Sequence, residues 1–170
     1  MLKNGWLKLV ICVLTLVVVF LATLLYLPSQ FSSVQFFFDR EAYKPLTELL
    51  DGAKKEILVQ MYSFTHDDLI RKLEMAKARG VDVRVIADDR EGNEGLFNVK
   101  FAVKWEVSDK TFHRKLAVID RQWIWLGSTN WTYSGFEKNS EVDILISSPD
   151  EAQKIINQFE KDWRQCKERK

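Results

Sequence analysis

Residues 9–27 form an uncharged, apolar run of 19 residues, and this run limits the fold more than any other stretch of the chain. As an α-helix it would be about 28 Å long, which matches the hydrocarbon core of a bilayer. Because the run has no polar face, we do not expect a buried helix of a soluble domain. Lys3 and Lys8 precede it. These two cations predict that residues 1–8 stay in the cytoplasm and that the following chain crosses the membrane.

A cleaved signal peptide is the alternative interpretation of the same run. Its apolar core would be long for a signal peptide, and Gln30 and Phe31 stand where a cleavage site favours small residues. We therefore expect an uncleaved anchor at residues 9–27 and a short linker at residues 28–33. One folded domain is expected at residues 34–170, which is long enough to bury a sizeable core.

The domain alternates between strand-like and helix-like segments. A strand at 56–64, a helix at 67–79 and a strand at 81–87 together predict a parallel, right-handed βαβ unit. Further strands are predicted at residues 34–38, 101–107, 111–119, 123–126 and 141–147, and further helices at residues 41–51 and 150–167. The expected class is α/β, with a mixed, mostly parallel sheet flanked by helices on both faces.

A motif of the form His-x-Lys-x4-Asp-x6-Gly-Ser-x-Asn occupies residues 113–130 and occurs once in the chain. Its first half lies on a predicted strand, whose alternating side chains place His113 and Lys115 on one face. In its second half, a glycine permits a turn after the next strand, so that Ser128 and Asn130 can face the same site.

These residue types suit chemistry on a phosphodiester. A phosphoryl group needs hydrogen-bond donors for its non-bridging oxygens and a nucleophile in line with the leaving oxygen. Lys115, Ser128 and Asn130 supply donors, and His113 supplies a nitrogen that can attack when the imidazole is neutral. The simpler interpretation, a half-buried strand with a surface histidine and lysine, does not account for the second half of the motif.

With this motif the chain resembles the phospholipase D superfamily, whose hallmark is the HKD motif. It is most similar to the small bacterial endonucleases of that superfamily (Nuc type), which carry one motif per chain. The resemblance covers residues 34–164. It includes residues 57–65 (Ile-Leu-Val-Gln-Met-Tyr-Ser-Phe-Thr), 79–83 (Arg-Gly-Val-Asp-Val) and 139–141 (Asn-Ser-Glu).

The resemblance implies roles for individual side chains and a chemistry without metal or cofactor. The implied roles are a nucleophile that forms a phosphohistidine (His113), phosphate ligands (Lys115 and Asn130), a hydrogen-bonding group for the phosphate or the histidine (Ser128), an acid that orients an imidazole (Glu141) and a structural residue behind the site (Asp120). The segment from Asp88 to His113 looks shorter than in the family, which leaves the depth of the substrate groove open.

The chain has two histidines, and this number bears on the assembly. A double displacement at phosphorus needs two groups that handle protons. His66 stands at the start of a predicted helix, which indicates a residue of the helix cap and leaves one catalytic imidazole per chain. Family members with one motif are dimers, so we expect a homodimer with two copies of His113 at the twofold axis.

Charge and cysteines add little to this prediction. The domain carries 23 basic and 24 acidic residues, so it lacks the excess of basic residues that indicates nucleic-acid binding. Cys12 and Cys166 cannot pair within one folded domain, and we expect Cys166 to be a lone thiol. Two groups of basic residues remain as local patches or as solvated surface: Lys100, Lys104, Lys110 and Arg114, and Lys161, Arg164, Lys167, Arg169 and Lys170.

Two further groups of residues allow two interpretations each. Asp88, Asp89, Glu91 and Glu94 could suggest a metal site, but a polar surface loop is the simpler interpretation, because no His or Cys with ligand spacing accompanies them. Trp131 and Tyr133 beside the motif could stack on bases. A place in the core or at a dimer interface suits them equally well.

The sequence thus predicts a membrane-anchored phosphodiesterase that acts as a nuclease on DNA and/or RNA, on the outer side of a bacterial inner membrane. A phospholipase acting on lipid headgroups is the first alternative, because the anchor would hold the site near lipid. A mitochondrial relative with an N-terminal anchor also exists in the superfamily, but its cysteine-rich insertion is absent here. A non-catalytic, membrane-tethered binding module is the third interpretation, and the complete motif disfavours it.

Overall fold

The computed structural model describes residues 3–26 and 33–168, which belong to two separate units, residues 1–31 and residues 32–170. The first unit contains the helix α1 (Lys3–Tyr26). Its segment Gly5–Ala22 has a mean hydropathy of 2.5 and no buried residue. This helix is long and apolar enough for a membrane span or a signal sequence. Of the predicted linker at residues 28–33, only Ser33 lies within the described residues.

The second unit is an α/β domain built on a seven-stranded sheet. Short 3₁₀ helices follow the first and third strands, at Asp39–Ala42 and Glu94–Leu96. The strands are β1 (Ser33–Phe38), β2 (Glu56–Met61), β3 (Asp82–Asp88), β4 (Ala102–Glu106), β5 (Lys115–Ile119), β6 (Trp123–Gly127) and β7 (Val142–Ser147). The helices are α2 (Tyr43–Gly52), α3 (Asp67–Ala78), α4 (Tyr133–Glu137) and α5 (Pro149–Gln165).

The strand order is β1-β7-β6-β5-β2-β3-β4, and the sheet is mixed, as predicted. The expectation of a mostly parallel sheet is wrong. Only the pairs β2–β3 and β3–β4 are parallel, and the other four pairs are antiparallel. The reason lies in the connections: the three residues 120–122 between β5 and β6 are too few for a crossover, so these strands form a hairpin.

Helices cover both faces of the sheet, and this explains why every residue of β2 is buried. On one face α2 and α3 bury Leu46, Leu50 and Leu73 against the sheet. On the other face α5 buries Ile156 and Phe159. Each of these side chains contributes roughly 1.5–3 kcal/mol when it is removed from water, so burial on both faces holds the sheet rigid beneath the site.

Three segments differ from the sequence prediction. The strand predicted at 111–119 begins only at Lys115, because the preceding residues do not take part in strand pairing. The N–H of Phe112 donates to the side chain of Asp88, and the N–H of His113 donates to the carbonyl of Thr111. The strand predicted at 56–64 ends at Met61 for a similar reason. The sequence did not predict α4, which is only five residues long and begins where the hydroxyl of Thr132 accepts the N–H of Gly135.

Candidate active site

His113 and Lys115 lie together at the end of the sheet where β5 begins. The Lys115 Nζ atom is 3.2 Å from both ring nitrogens of His113 and 3.3 Å from its carbonyl oxygen. His113 is exposed, whereas Lys115 is only 9% exposed. An imidazole nitrogen accepts a hydrogen bond from an ammonium group only when the ring is neutral, and this is also the form that can attack phosphorus.

Tyr62, which directly follows β2, is a third member of this contact. Its ring centroid lies 4.5 Å from that of His113, and the Lys115 Nζ atom lies 4.9 Å from the same tyrosine centroid. A hydrogen bond to the carboxylate of Glu91 raises the pKa of Tyr62 above its ordinary value. Sequence reasoning missed Tyr62. The only signal was its place after a buried strand, and the pairing of Met61 with Lys115 brings that strand beside the motif.

Burial is the main influence on the charge of Lys115. It lowers the pKa of Lys115 below the usual value for lysine, and the nearby carboxylates of Glu141 and Glu91 oppose this effect. Such a desolvated ammonium group interacts strongly with an anion that enters the site. The position of Lys115 is therefore suited to binding a phosphate group.

Ser128 and Glu141 form a second pair at the same end of the sheet. The Ser128 hydroxyl donates to the carboxylate of Glu141 and accepts the N–H of Val142 at 3.1 Å. The other carboxylate oxygen of Glu141 accepts the side-chain amide of Asn139 at 3.0 Å. Within the described residues no hydrogen bond joins Glu141 to His113 of the same chain, so the predicted orienting role of Glu141 stays a prediction.

Asp39 holds the backbone of Glu141 in place, and the sequence offered no signal for it. Its carboxylate accepts the N–H of Glu141 at 2.8 Å, and its own N–H donates to the Glu141 carbonyl at 3.1 Å. Asp39 has a φ of 52°, in the left-handed region. The two residues are 102 positions apart in the chain, so only the pairing of β1 with β7 reveals the contact.

Asn130 connects the second half of the motif to the end of β2. Its side-chain oxygen accepts the N–H of Ser63 at 3.4 Å, next to Tyr62. In the part of the chain that the structure describes, the side-chain NH₂ group of Asn130 has no hydrogen-bond acceptor. That group remains free to donate to an incoming phosphate oxygen.

Asp120 lies at the opposite end of β5, about 15 Å from Lys115 by strand rise. Its carboxylate accepts the backbone N–H groups of Lys54, Lys55 and Glu56 at 2.7–3.2 Å. It has a φ of 54° in the turn between β5 and β6. These bonds tie that turn to the start of β2, so Asp120 has a structural task away from the reacting groups.

The remaining candidates are the second histidine, His66, and the acidic residues at and after the end of β3. His66 is the N-cap residue of α3, without a side-chain cap bond, and its ring lies 5.2 Å from that of Tyr43. The interpretation of the acidic residues as a polar surface loop is wrong for Asp88, which ends β3 and is fully buried. Asn93 in the loop after β3 is fully buried too. The described residues contain no cluster of three or more possible metal ligands.

Trp131 is fully buried and packs edge-on against Phe64, with ring centroids 5.0 Å apart, so the core interpretation holds for it. Tyr133 is 61% exposed.

Cys166 is a buried free thiol, and burial, aided by nearby carboxylates such as Glu106, raises its pKa to about 12. A thiol of this kind is unreactive, in keeping with the lone thiol predicted from the sequence.

A cleft of about 870 Å³ adjoins His113 on the side of α5. The predicted basic patch contributes Lys110 and Arg114 to its walls, beside Asp109 and Asp162. Arg114 forms an ion pair with Asp162, so part of the basic charge is neutralised within the chain. The cleft therefore has mixed charge next to the imidazole of His113.

Asp143 on β7 is a buried acid, 1% exposed, that the sequence did not single out. Burial raises the pKa of Asp143 to about 6, Glu141 adds to this rise, and Thr129 opposes it. An ideal Cβ atom on Gly127 would lie only 2.0 Å from an Asp143 carboxylate oxygen and 2.4 Å from the carbonyl oxygen of Val142. Gly127 therefore makes room for β7, and it does not adopt the left-handed conformation of a glycine turn.

The family model described as "Cardiolipin synthase, PLD-like domain" matches residues 46–163, which include the whole motif. The chain belongs to the phospholipase D superfamily. This phospholipase D-like domain is similar in structure to Nuc, a phospholipase D family member from Salmonella typhimurium. The TM-score is 0.75 and the identity 28%, over 82% of this chain and 99% of Nuc. NucT from Helicobacter pylori shares the fold, with a TM-score of 0.70 and 22% identity over 79% of this chain and 98% of NucT.

Curated relatives of this phospholipase D-like protein include mitochondrial cardiolipin hydrolases. The Xenopus laevis protein is 31% identical over 130 residues, which are 73% of this chain and 62% of the relative. The human protein is 28% identical over 131 residues, 73% of this chain and 52% of the relative. The chain thus spans between half and two thirds of the length of these two relatives.

Proposed function

We propose that the chain is a metal-independent nuclease that hydrolyses DNA and/or RNA through a covalent phosphohistidine at His113. The observation that carries this proposal is the contact between the exposed imidazole of His113 and the buried ammonium group of Lys115. A nucleophile and a phosphate-binding cation are thereby held 3.2 Å apart at an open end of the sheet. The likeness to Nuc over 99% of that chain supports the choice of substrate class.

In the first step a ring nitrogen of His113 attacks phosphorus, forming a P–N bond while the P–O bond to the leaving group breaks. Lys115 and the amide of Asn130 donate to the non-bridging oxygens, whose charge grows in the transition state. The leaving oxygen takes a proton from the imidazolium of His113 in a second copy of the chain. That imidazole then removes a proton from water, and the water oxygen attacks phosphorus and breaks the P–N bond.

A homodimer with both copies of His113 at the twofold axis is part of the proposal. Within the described residues of one chain, no second imidazole contacts His113. The other histidine, His66, lies at the start of α3 between the rings of Tyr43 and Phe136. A twofold axis presents the same surface from both subunits. The two imidazoles then act as one coupled acid–base pair.

We also propose that α1 is an uncleaved anchor in a bacterial inner membrane and that the catalytic domain lies on the outer side. The apolar segment Gly5–Ala22 and the two lysines before residue 9 support this placement. The domain boundaries proposed from the sequence (1–8, 9–27, 28–33 and 34–170) follow from it.

The test uses the full chain in detergent micelles with single-stranded DNA or RNA and an excess of EDTA. Wild-type protein is expected to cleave at least one of the two, and His113→Ala is expected to lose at least about 100-fold in rate, the low end for a positioned acid–base group. His66→Gln serves as the matched control, because it removes the other histidine and should keep most of the activity. Equal rates for His113→Ala and wild type would refute the role of His113.

A phospholipase D-type hydrolase of phospholipid headgroups is the second candidate function. The observation that favours it is the similarity to proteins named mitochondrial cardiolipin hydrolase, at 25–31% identity. The same protein preparation is to be incubated with vesicles that contain cardiolipin, and release of phosphatidic acid is to be followed by mass spectrometry. Lipid cleavage that depends on His113, without cleavage of nucleic acid, would replace the nuclease proposal.

A further inference from the structure

The segment that carries His113 lies outside the sheet. Residues 107–114 separate β4 from β5. Among the residues that the structure describes, the backbone near the histidine makes two hydrogen bonds to other backbone groups. The N–H of His113 donates to Thr111 at 3.0 Å, and the N–H of Tyr62 donates to Arg114 at 2.9 Å. Such a segment needs other contacts if it is to hold a nucleophile in one position.

Those contacts come from the last residue of β3 and from the loop that follows it. Asp88, the last residue of β3, is fully buried, and its carboxylate accepts the N–H of Phe112 at 2.8 Å. Arg90 binds the same carboxylate through Nε at 3.1 Å and Nη2 at 2.8 Å. The guanidinium group also donates to the carbonyl of Lys110 at 2.6 Å. The pair thus holds the segment one and three residues before His113.

Asn93 extends the same network to the other side of the imidazole. It is fully buried, and its side-chain NH₂ group donates to the carbonyls of Tyr62 and Asp88, both at 3.0 Å. Its side-chain oxygen accepts the N–H of Phe64 at 2.6 Å. Because the Tyr62 ring packs against His113, one loop fixes both the tyrosine and the segment that bears the histidine.

The electrostatics of Asp88 make this network stiff. Burial by itself would raise the pKa of Asp88, but the hydrogen bonds from Arg90 and Phe112 outweigh burial and lower the pKa below its ordinary value. The carboxylate is therefore charged, and a bidentate pair with arginine has a defined geometry. Loss of the guanidinium group would leave a buried charge without its main partner.

We propose that Asp88 and Arg90 are positioning residues for His113, an inference that rests on the proposed phosphohistidine chemistry. Asp88 is fully buried, and the Arg90 guanidinium is held by the Asp88 carboxylate and the Lys110 carbonyl. They act through the backbone at Lys110 and Phe112 and keep the imidazole against Lys115 and Tyr62. A displacement of about 1 Å in a reacting group can cost about 100-fold in rate, so this anchoring bears directly on turnover.

The test uses Arg90→Gln and Arg90→Lys in the full chain in detergent. Arg90 is preferred to Asp88 because its side chain is 44% exposed, whereas that of Asp88 is fully buried. Arg121→Gln is the matched control: that arginine is 54% exposed, forms an ion pair with Glu56 and follows the far end of β5. The expected result for Arg90→Gln is a fall in kcat of about 10- to 100-fold with KM changed by less than about 2-fold. The kcat of Arg90→Lys should lie between those of Arg90→Gln and wild type, and the kcat of Arg121→Gln should equal that of wild type.

Amide hydrogen exchange separates this inference from the proposed function. In Arg90→Gln the Phe112 amide is expected to exchange faster than in wild type and in Arg121→Gln, with no change in the strands of the sheet. Unchanged exchange at Phe112 together with unchanged kcat would overturn the inference. If wild type cleaves no phosphodiester, the proposed function fails. In that case the exchange rate of the Phe112 amide in Arg90→Gln is by itself the test of the positioning role. Faster exchange than in wild type supports that role, and unchanged exchange overturns it.

Discussion

Replacement of Asp143 by asparagine is expected to change how the stability of the domain depends on pH. The carboxyl group is 1% exposed, and burial raises its pKa from 3.8 to about 6. Asparagine has nearly the same shape but cannot ionise. The substitution therefore removes the charge and leaves the space beside Gly127 filled.

The sign and size of the effect follow from linkage between ionisation and folding. Below pH 3.8 the carboxyl group is protonated in both the folded and the unfolded chain, and the stability that burial of the neutral form contributes is fully present. As pH rises toward 6, the unfolded chain ionises first, so the wild-type protein loses stability; the loss is complete above pH 6. A difference of about 2 pKa units corresponds to about 3 kcal/mol. The free energy of unfolding of Asp143→Asn, relative to wild type, should thus rise by about 2 to 3 kcal/mol between pH 4 and pH 8.

The assay is urea unfolding of the full chain in detergent at several pH values, followed by tryptophan fluorescence. Trp125 and Trp131 are buried in the domain and report its unfolding. Asp109→Asn, which removes an exposed carboxylate, controls for the loss of one acidic residue at the surface. A constant difference between Asp143→Asn and wild type across this pH range would refute the assignment of a strongly desolvated carboxyl group to this position.

Three further predictions concern single residues. Gly127→Ala should lower the melting temperature markedly, because its Cβ would lie 2.0 Å from Asp143, whereas Gly52→Ala, with nothing within 4 Å, should be neutral or slightly stabilising. Asp120→Ala should lower the free energy of unfolding, measured with urea, by about 1–3 kcal/mol, because three backbone N–H groups lose their acceptor. A specific loss of kcat in the folded variant would contradict the structural role of Asp120. Cys166 should resist iodoacetamide at pH 8 in the folded protein and react once urea unfolds it, because burial raises its pKa to about 12; rapid labelling of the folded chain would contradict this.

The motif and the periodic patterns were sufficient to predict most of the fold and the proximity of two motif residues. Alternation along the strand predicted at 111–119 placed His113 and Lys115 on one side. Their side chains are in contact, although the strand itself begins only at Lys115. The apolar run predicted α1, and the order of segments predicted the parallel pairing of β2 with β3. These features depend on neighbours in the sequence, so the local pattern of residue types contains them.

The error in the sheet has a different origin. The sequence predicted a mostly parallel sheet from one βαβ unit. The four pairs β1–β7, β2–β5, β5–β6 and β6–β7 are instead antiparallel, and they are the majority. Strand direction depends on which distant strand is the neighbour in the sheet. A list of apolar segments does not contain that information.

What the sequence by itself determined, within the residues that the structure describes, is therefore the inventory: an apolar helix near the N-terminus, an α/β domain and a motif of the phospholipase D superfamily. Only the tertiary structure decided which residues surround that motif. Asp88 reaches Phe112 across 24 positions, and Asp39 reaches Glu141 across 102. The physical reason is that polar groups pair with the partners that the fold brings close, and a fully buried carboxylate such as that of Asp88 must do so. These partners come from segments far apart in the chain.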